Sequence, residues 1–75
     1  MKHHHRALDS FGKNVKRQRE AKGLTQEKLA EKAELDPTYI SGIERGVRNP
    51  SILSVVRIAK ALGTDSADLF EGVRA

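Results

Sequence analysis

The segment LDPTYISGIERG at residues 35–46 places small polar side chains at the front of a predicted helix. Thr38 and Ser41 each carry a hydroxyl donor and two acceptor lone pairs on a very short side chain. Pro37 adds a small apolar edge, and Gly42 adds no side chain. Long charged residues would favour the helix more strongly. These residue types therefore indicate a surface that approaches a partner closely and forms short hydrogen bonds with it.

The composition favours a binding role over a catalytic one. The 75 residues contain no Cys, and the only histidines are His3, His4 and His5. No acid pair lies near a convincing nucleophile, and so short a chain leaves little room for a pocket. We therefore expect no catalytic residue, no metal and no cofactor, and we interpret the three histidines as a tag remnant or a disordered arm.

Positive charge is concentrated in the first third of the chain, although the net charge is only +4. Residues 1–23 contain seven Lys or Arg and two acids, against four and five in residues 24–50 and three and three in residues 51–75. Such a patch suits a phosphate backbone or an anionic membrane, and a solvated face is the alternative. No apolar run approaches the roughly 20 residues that span a bilayer, which favours a cytoplasmic protein.

Apolar periodicity and capping residues predict five helices and no strand, so the fold class is all-α. Their predicted bounds are about 10–22, 26–33, 37–45, 52–62 and 66–70. Residues 1–9 are expected to form a flexible arm, and residues 10–75 a single domain. On the fourth helix we expect an inward face made of Ile52, Val55, Val56, Ile58, Ala59 and Leu62, with Leu53 outside it.

Two residues of opposite charge occupy apolar faces of these helices. Arg19 continues the stripe of the first helix, and Glu44 lies on the inward side of the third. Burial of either charge alone would cost several kcal/mol. We therefore predict a structural ion pair that joins the first helix to the third, the alternative being that both side chains reach solvent separately.

The spacing of the second and third helices is that of a helix-turn-helix, since a turn of only three or four residues joins them. In that arrangement the second of the two helices lies in the major groove of DNA. Short polar residues at its front let the backbone approach the base edges, which explains the composition of residues 37–42.

Three segments carry a resemblance to a known family: TQEKLAEKA, YISGIERGVRNPS, and IAKALG with a following LF. From Phe11 to Phe70 the chain resembles the Cro/phage-repressor (Xre-type) helix-turn-helix family. The resemblance implies a compact five-helix, lambda-repressor-like DNA-binding domain. It implies base contacts by Pro37, Thr38, Ser41 and Gly42, phosphate contacts by Gln26, Tyr39, Arg45, Arg48 and Asn49, and the ion pair of Arg19 with Glu44.

Two positions depart from the family pattern. Glu34 stands where the family usually has Gly, so we expect a non-glycine residue near positive φ. The third helix also lacks the Gln or Arg that forms strong bidentate base contacts, so DNA deformability is expected to share the specificity. For Arg48 and Asn49 an ordinary polar loop remains the alternative.

Family members commonly dimerise, with recognition helices about 34 Å apart on DNA. The resemblance therefore implies a homodimer on a palindromic operator. We place its interface at Leu53, Leu69, Phe70 and Val73, although Leu53 alone could be an ordinary exposed apolar residue.

The expected function is sequence-specific binding of double-stranded DNA by an autoregulatory transcriptional regulator. The length and the YISGIERG segment particularly resemble the controller proteins of restriction–modification systems. RNA polymerase is a further candidate partner, and the site of action would be the bacterial nucleoid. The alternative is an antitoxin or coactivator-type module that uses the same fold to bind protein.

Overall fold

Five helices account for most of residues 5–75, the part of the chain that the computed structural model describes. They are α1 (Arg6–Ala21), α2 (Gln26–Ala33), α3 (Pro37–Glu44), α4 (Ile52–Leu62) and α5 (Ser66–Leu69). No strand occurs within this range. The all-α, five-helix prediction is therefore confirmed.

Side-chain caps fix where the three central helices begin. Each cap oxygen accepts a hydrogen bond from a backbone N–H that lacks a partner within its helix. The three bonds run from Lys28 N to Thr25 Oγ1 (3.0 Å), from Thr38 N to Asp36 Oδ1 (2.7 Å) and from Ser54 N to Ser51 Oγ (3.1 Å). These caps explain why the predicted starts of α2, α3 and α4 agree with the structure.

The start of α1 differs from the prediction. The helix begins at Arg6, four residues before the expected start at Ser10, so residues 6–9 of the predicted flexible arm are helical. Arg, Ala and Leu are strong helix formers, and Asp9 lies in the first turn where the helix dipole favours an acid. Residues 1–4 of the predicted arm lie outside the described residues.

The core forms where the inner faces of all five helices meet. Its largest fully buried side chains are Val15, Leu29, Ile40, Ile43, Ile58 and Leu69. Leu69 is 0% exposed, so its predicted place in a dimer interface is wrong. Two residues predicted to face inward on α4, Ile52 and Val56, are instead exposed.

A glycine allows α1 and α3 to cross at close range. Gly12 is buried on α1, and a Cβ at this position would overlap the carbonyl oxygen of Ile43 and crowd the backbone of Glu44. Because these atoms belong to the backbone, they cannot move aside as a flexible side chain can. The absence of a side chain at position 12 therefore sets the distance between α1 and α3.

A buried amide holds the C-terminal segment against α1. Asn14 Nδ2 donates to the carbonyl oxygens of Leu69 and Glu71, both at 2.9 Å. Nearby, the rings of Phe11 and Phe70 lie 5.0 Å apart between centroids. Asn14 thus fixes the position of α5, a role that no sequence pattern indicates.

Candidate DNA-binding surface

The front of α3 projects from the domain. Pro37 and Thr38 are exposed, and Ser41, one turn later on the helix, is half-buried. The Asp36 carboxylate accepts a hydrogen bond from the Thr38 backbone N–H. The Thr38 hydroxyl is left available to a partner. Three of the four residues predicted to contact bases therefore lie together at an accessible helix start.

Gly42, the fourth predicted base-contacting residue, occupies a different position. It is buried, because the side chain of Arg48 crosses directly over it. The expectation that Gly42 faces outward is therefore wrong. The sequence could not reveal this contact, because it depends on how the loop after α3 returns over the helix.

Arg45 extends the polar face of α3 toward its C-terminal end. It is exposed, and its Nε donates to the Ser41 hydroxyl oxygen at 3.4 Å, a weak bond between residues one turn apart. Ser41 accepts this bond and keeps its own O–H as a donor. An arginine and a hydroxyl are thus presented side by side.

Tyr39 connects α3 to the start of α4. Its ring is half-buried, and its hydroxyl oxygen accepts a hydrogen bond from the Ser51 backbone N–H at 3.3 Å. The phenolic O–H is still able to donate to an acceptor in solvent, such as a phosphate oxygen. Tyr39 therefore has both a structural contact and a free donor.

Buried charges support α3 from behind. Arg19 binds Glu44 through two bonds, Nε to Oε2 at 2.7 Å and Nη2 to Oε1 at 3.0 Å, while its Nη1 donates to the Leu24 carbonyl oxygen at 2.8 Å. The two side chains are 11% and 3% exposed. The hydrogen bond to Glu44 raises the pKa of Arg19 above its usual value, against the opposing effect of burial. The structure thus contains the ion pair that periodicity predicts.

Gln26 joins this network from the first turn of α2. Its Nε2 donates to Glu44 Oε1 at 3.0 Å, and the residue is half-buried. Gln26 therefore links the helix start to the ion pair in addition to any contact with phosphate. The backbone N–H groups of this first turn, together with the helix dipole, form an environment that favours anions.

The loop between α3 and α4 adds further polar side chains beside the recognition helix. Arg48 and Asn49 are both exposed. Asn49 lines a shallow depression with His5 and Arg6 at the start of α1. Arg6 is an exposed cation that the sequence analysis did not single out, although the basic N-terminal third of the chain pointed to this region.

A second surface, made of apolar residues, covers one side of α4 and the end of α5. Its members are Ile52 (84% exposed), Leu53 (59%), Val56 (48%) and Phe70 (48%), and we call it the α4–α5 apolar surface. A groove of about 390 Å³ runs through it, between Ile52, Val56 and Phe70. Val73 also lines the groove but is half-buried and packs on the core. The exposure of Ile52 and Val56 differs from the inward orientation that periodicity predicts.

The described residues contain no group of three or more His, Cys, Asp or Glu side chains placed to hold a metal ion. Within residues 5–75 every helix is too short or too polar to cross a bilayer.

The geometry defines a helix-turn-helix unit, with α2 supporting an α3 whose start is exposed. A family model described as helix-turn-helix matches residues 15–69. The chain therefore belongs to the helix-turn-helix family.

Individual relatives make the assignment more specific. The chain is 47% identical over 62 residues to the control protein C.BamHI of Bacillus amyloliquefaciens, covering 81% of this chain and 76% of that protein. The crystal structure of the restriction-modification controller protein C.AhdI from Aeromonas hydrophila matches with a TM-score of 0.83 and 43% identity, covering 84% and 96% of the two chains. The controller protein C.Esp1396I, solved as a tetramer in complex with its natural 35 base-pair operator, matches with a TM-score of 0.80 and 45% identity, covering 89% and 88%.

Proposed function

We propose that this protein is a sequence-specific, double-stranded DNA-binding transcriptional regulator. The observation that carries the proposal is the accessible start of α3, where Pro37 and Thr38 are exposed, Ser41 is half-buried, and all three side chains are short. This shape allows the helix to approach base edges in a major groove. A binding role without catalysis is sufficient to explain the arrangement.

Within this proposal, two sets of residues have different tasks. Thr38 and Ser41 offer hydroxyls to base edges, and Pro37 offers an apolar edge suited to a thymine methyl group. Surrounding groups contact the phosphates and fix the orientation of α3: Gln26, Tyr39, Arg45, Arg48 and Asn49. Arg6 extends this second set at the start of α1.

The α4–α5 apolar surface is the proposed homodimer interface. Four large apolar side chains exposed on so small a domain mark an association site rather than scattered surface residues. A second copy of the chain is the occupant that we propose, because a two-fold axis brings the same surface of each copy together. The two recognition helices would then meet a palindromic operator in successive turns of one DNA face.

An Ile52→Glu variant tests the interface. Placing a charge in an apolar interface should give a monomer and weaken binding to a two-site duplex by about 100-fold, because each copy then binds alone. Arg57→Ala is the control, since it lowers the net charge by the same amount at an exposed α4 position that does not line the groove. Sedimentation that shows the unaltered protein as a monomer well above micromolar concentration would contradict the dimer.

The similarity to control proteins supports autoregulation in a restriction–modification system. We propose that the dimer binds DNA upstream of its own gene, so that protein concentration and operator cooperativity control expression. Footprinting on that DNA would reveal the site, its symmetry and the half-site spacing. This assignment would be contradicted if the footprint showed no protection on that DNA. It would also be contradicted if the neighbouring genes encoded neither a methyltransferase nor an endonuclease.

RNA polymerase is a further proposed partner, with the nucleoid as the place of action. The outer face of α2 is exposed and charged, and it faces away from the core through Glu27, Lys28, Glu31 and Lys32. A regulator bound at a promoter could offer this face to the polymerase. In vitro transcription with purified polymerase should respond to charge reversal on this face while DNA affinity stays unchanged.

A further inference from the structure

Gly42 and Arg48 form a contact between the recognition helix and the loop that follows it. A Cβ at position 42 would overlap Arg48 Cγ and would lie 3.3 Å from Nε and 3.4 Å from Cδ. The arginine side chain therefore runs along the helix surface at position 42 from its stem to the start of the guanidinium. Arg48 as a whole residue remains exposed.

The backbone of the same glycine holds the base of the arginine. The Gly42 carbonyl oxygen accepts hydrogen bonds from Val47 N at 2.9 Å and from Arg48 N at 3.2 Å. Both the backbone and the stem of Arg48 are thus held against α3. Neither contact involves an ion pair, which leaves the guanidinium free to bind an anion.

We propose that Gly42 is a positioning residue that directs Arg48 toward the DNA backbone beside the base-contacting front of α3. The inference rests on the proposed function and adds to it. It explains the glycine at position 42 by its contact with Arg48 and not by a contact with a DNA base. An arginine with a long flexible stem loses rotamer freedom when it binds. A stem already packed against the helix loses less, so the contact with phosphate is stronger.

The residue type at position 42 supports this role over simple helix packing. Gly is less favourable than Ala in a helix interior. The three heavy atoms nearest to the missing Cβ all belong to the Arg48 side chain, so the space left by the glycine is used by this arginine. Stability alone would favour alanine if Arg48 were elsewhere.

A double-mutant cycle with Gly42→Ala and Arg48→Ala tests the proposal. The probes are a duplex obtained from a random library with the unaltered protein and a mixed-sequence duplex of equal length. Arg48→Ala should weaken binding to both about tenfold at about 0.1 M salt and flatten the log–log salt slope by about one, since one phosphate contact is lost. Gly42→Ala should weaken binding about three- to tenfold by displacing the same side chain.

The combined variant distinguishes positioning from damage to the fold. Without Arg48, the Gly42→Ala change should cause no further loss of binding and should raise Tm, because alanine favours the helix. Arg48→Met keeps an unbranched stem over Gly42 without the charge, so it should unfold at the original temperature while binding as weakly as Arg48→Ala. Arg57→Ala, at an exposed position of α4, controls for the change in net charge.

Each result supports or overturns a specific statement. If Gly42→Ala leaves the DNA affinity and the salt slope unaltered while Arg48→Ala weakens binding, the positioning role is overturned. The proposed function would then stay intact. Losses that add in the combined variant would also overturn it, because the residues would then act independently. An unaltered protein that binds every duplex without preference would overturn the proposed function itself.

Discussion

The two ends of α3 differ sharply in their surroundings. At the C-terminal end, Glu44 is buried and binds Arg19 twice and Gln26 once. At the N-terminal end, Pro37 and Thr38 are exposed. A helix of only eight residues thus has one end that is fixed by charge and one end that is open to solvent.

Stability and recognition therefore depend on separate residues of one short helix. The buried end determines where the helix lies, because its hydrogen bonds reach both α1 and α2. The open end determines what the helix can contact. Substitutions at the two ends should therefore have different effects, which makes the comparison testable.

The largest expected effect is at the buried end. Glu44→Ala should lower the free energy of unfolding by about 3–5 kcal/mol, because Arg19 would stay buried without its carboxylate partner. Chemical denaturation measures this loss directly. The matched control is Glu27→Ala at an exposed position in the first turn of α2, which should change stability by less than about 1 kcal/mol. Equal effects of the two substitutions would mean that the ion pair does not fix the helix.

An intermediate effect is expected at the open end, on binding and not on folding. Thr38→Ala or Ser41→Ala should change the preference between the selected duplex and its single-base variants by about 1–3 kcal/mol. Titrations on a panel of duplexes measure this preference, and Tm should remain nearly constant for Thr38, which is exposed. Equal losses on every sequence would assign these hydroxyls to general affinity instead of base readout.

The smallest effect is expected in the turn that leads into the open end. Glu34 lies in the left-handed region, at φ 60° and ψ 44°, where a Cβ is unfavourable. Glu34→Gly should therefore stabilise the protein by about 0.5–1 kcal/mol, a rise in Tm of a few degrees.

Glu34→Ala separates the backbone effect from the charge effect. It removes the same carboxylate but keeps a Cβ, so it should not give the gain in stability. If both variants raise Tm equally, repulsion between charges and not backbone strain explains the result at this position.

The sequence predicted the parts of the fold that depend on local signals. The starts of α2, α3 and α4 follow from Thr25, Asp36 and Ser51, whose cap bonds involve residues two or three positions away. The start of α1 was missed because His5, its N-cap, makes no side-chain cap bond. A helix that begins without a capping side chain leaves little trace in the sequence.

Errors in the candidate site came from contacts between distant residues. On α4 apolar residues lie on nearly every side, so periodicity could not separate exposed Ile52 and Val56 from buried Ile58. At the chain's end, Leu69 and Phe70 are adjacent, and only the docking of α5 determines that Leu69 is the buried one. Gly42 was misplaced for the same reason, since a loop residue covers it.

The close crossing at Gly12 has a consequence for how new specificities can arise. The side chains that would meet bases belong to positions 37, 38 and 41, whereas the crossing involves the backbone of Ile43 and Glu44, so they can change without disturbing it. A library randomised at positions 37, 38 and 41 should yield many folded proteins with altered targets, whereas one randomised at position 12 should return only glycine. Diversification of targets is therefore compatible with a constant scaffold.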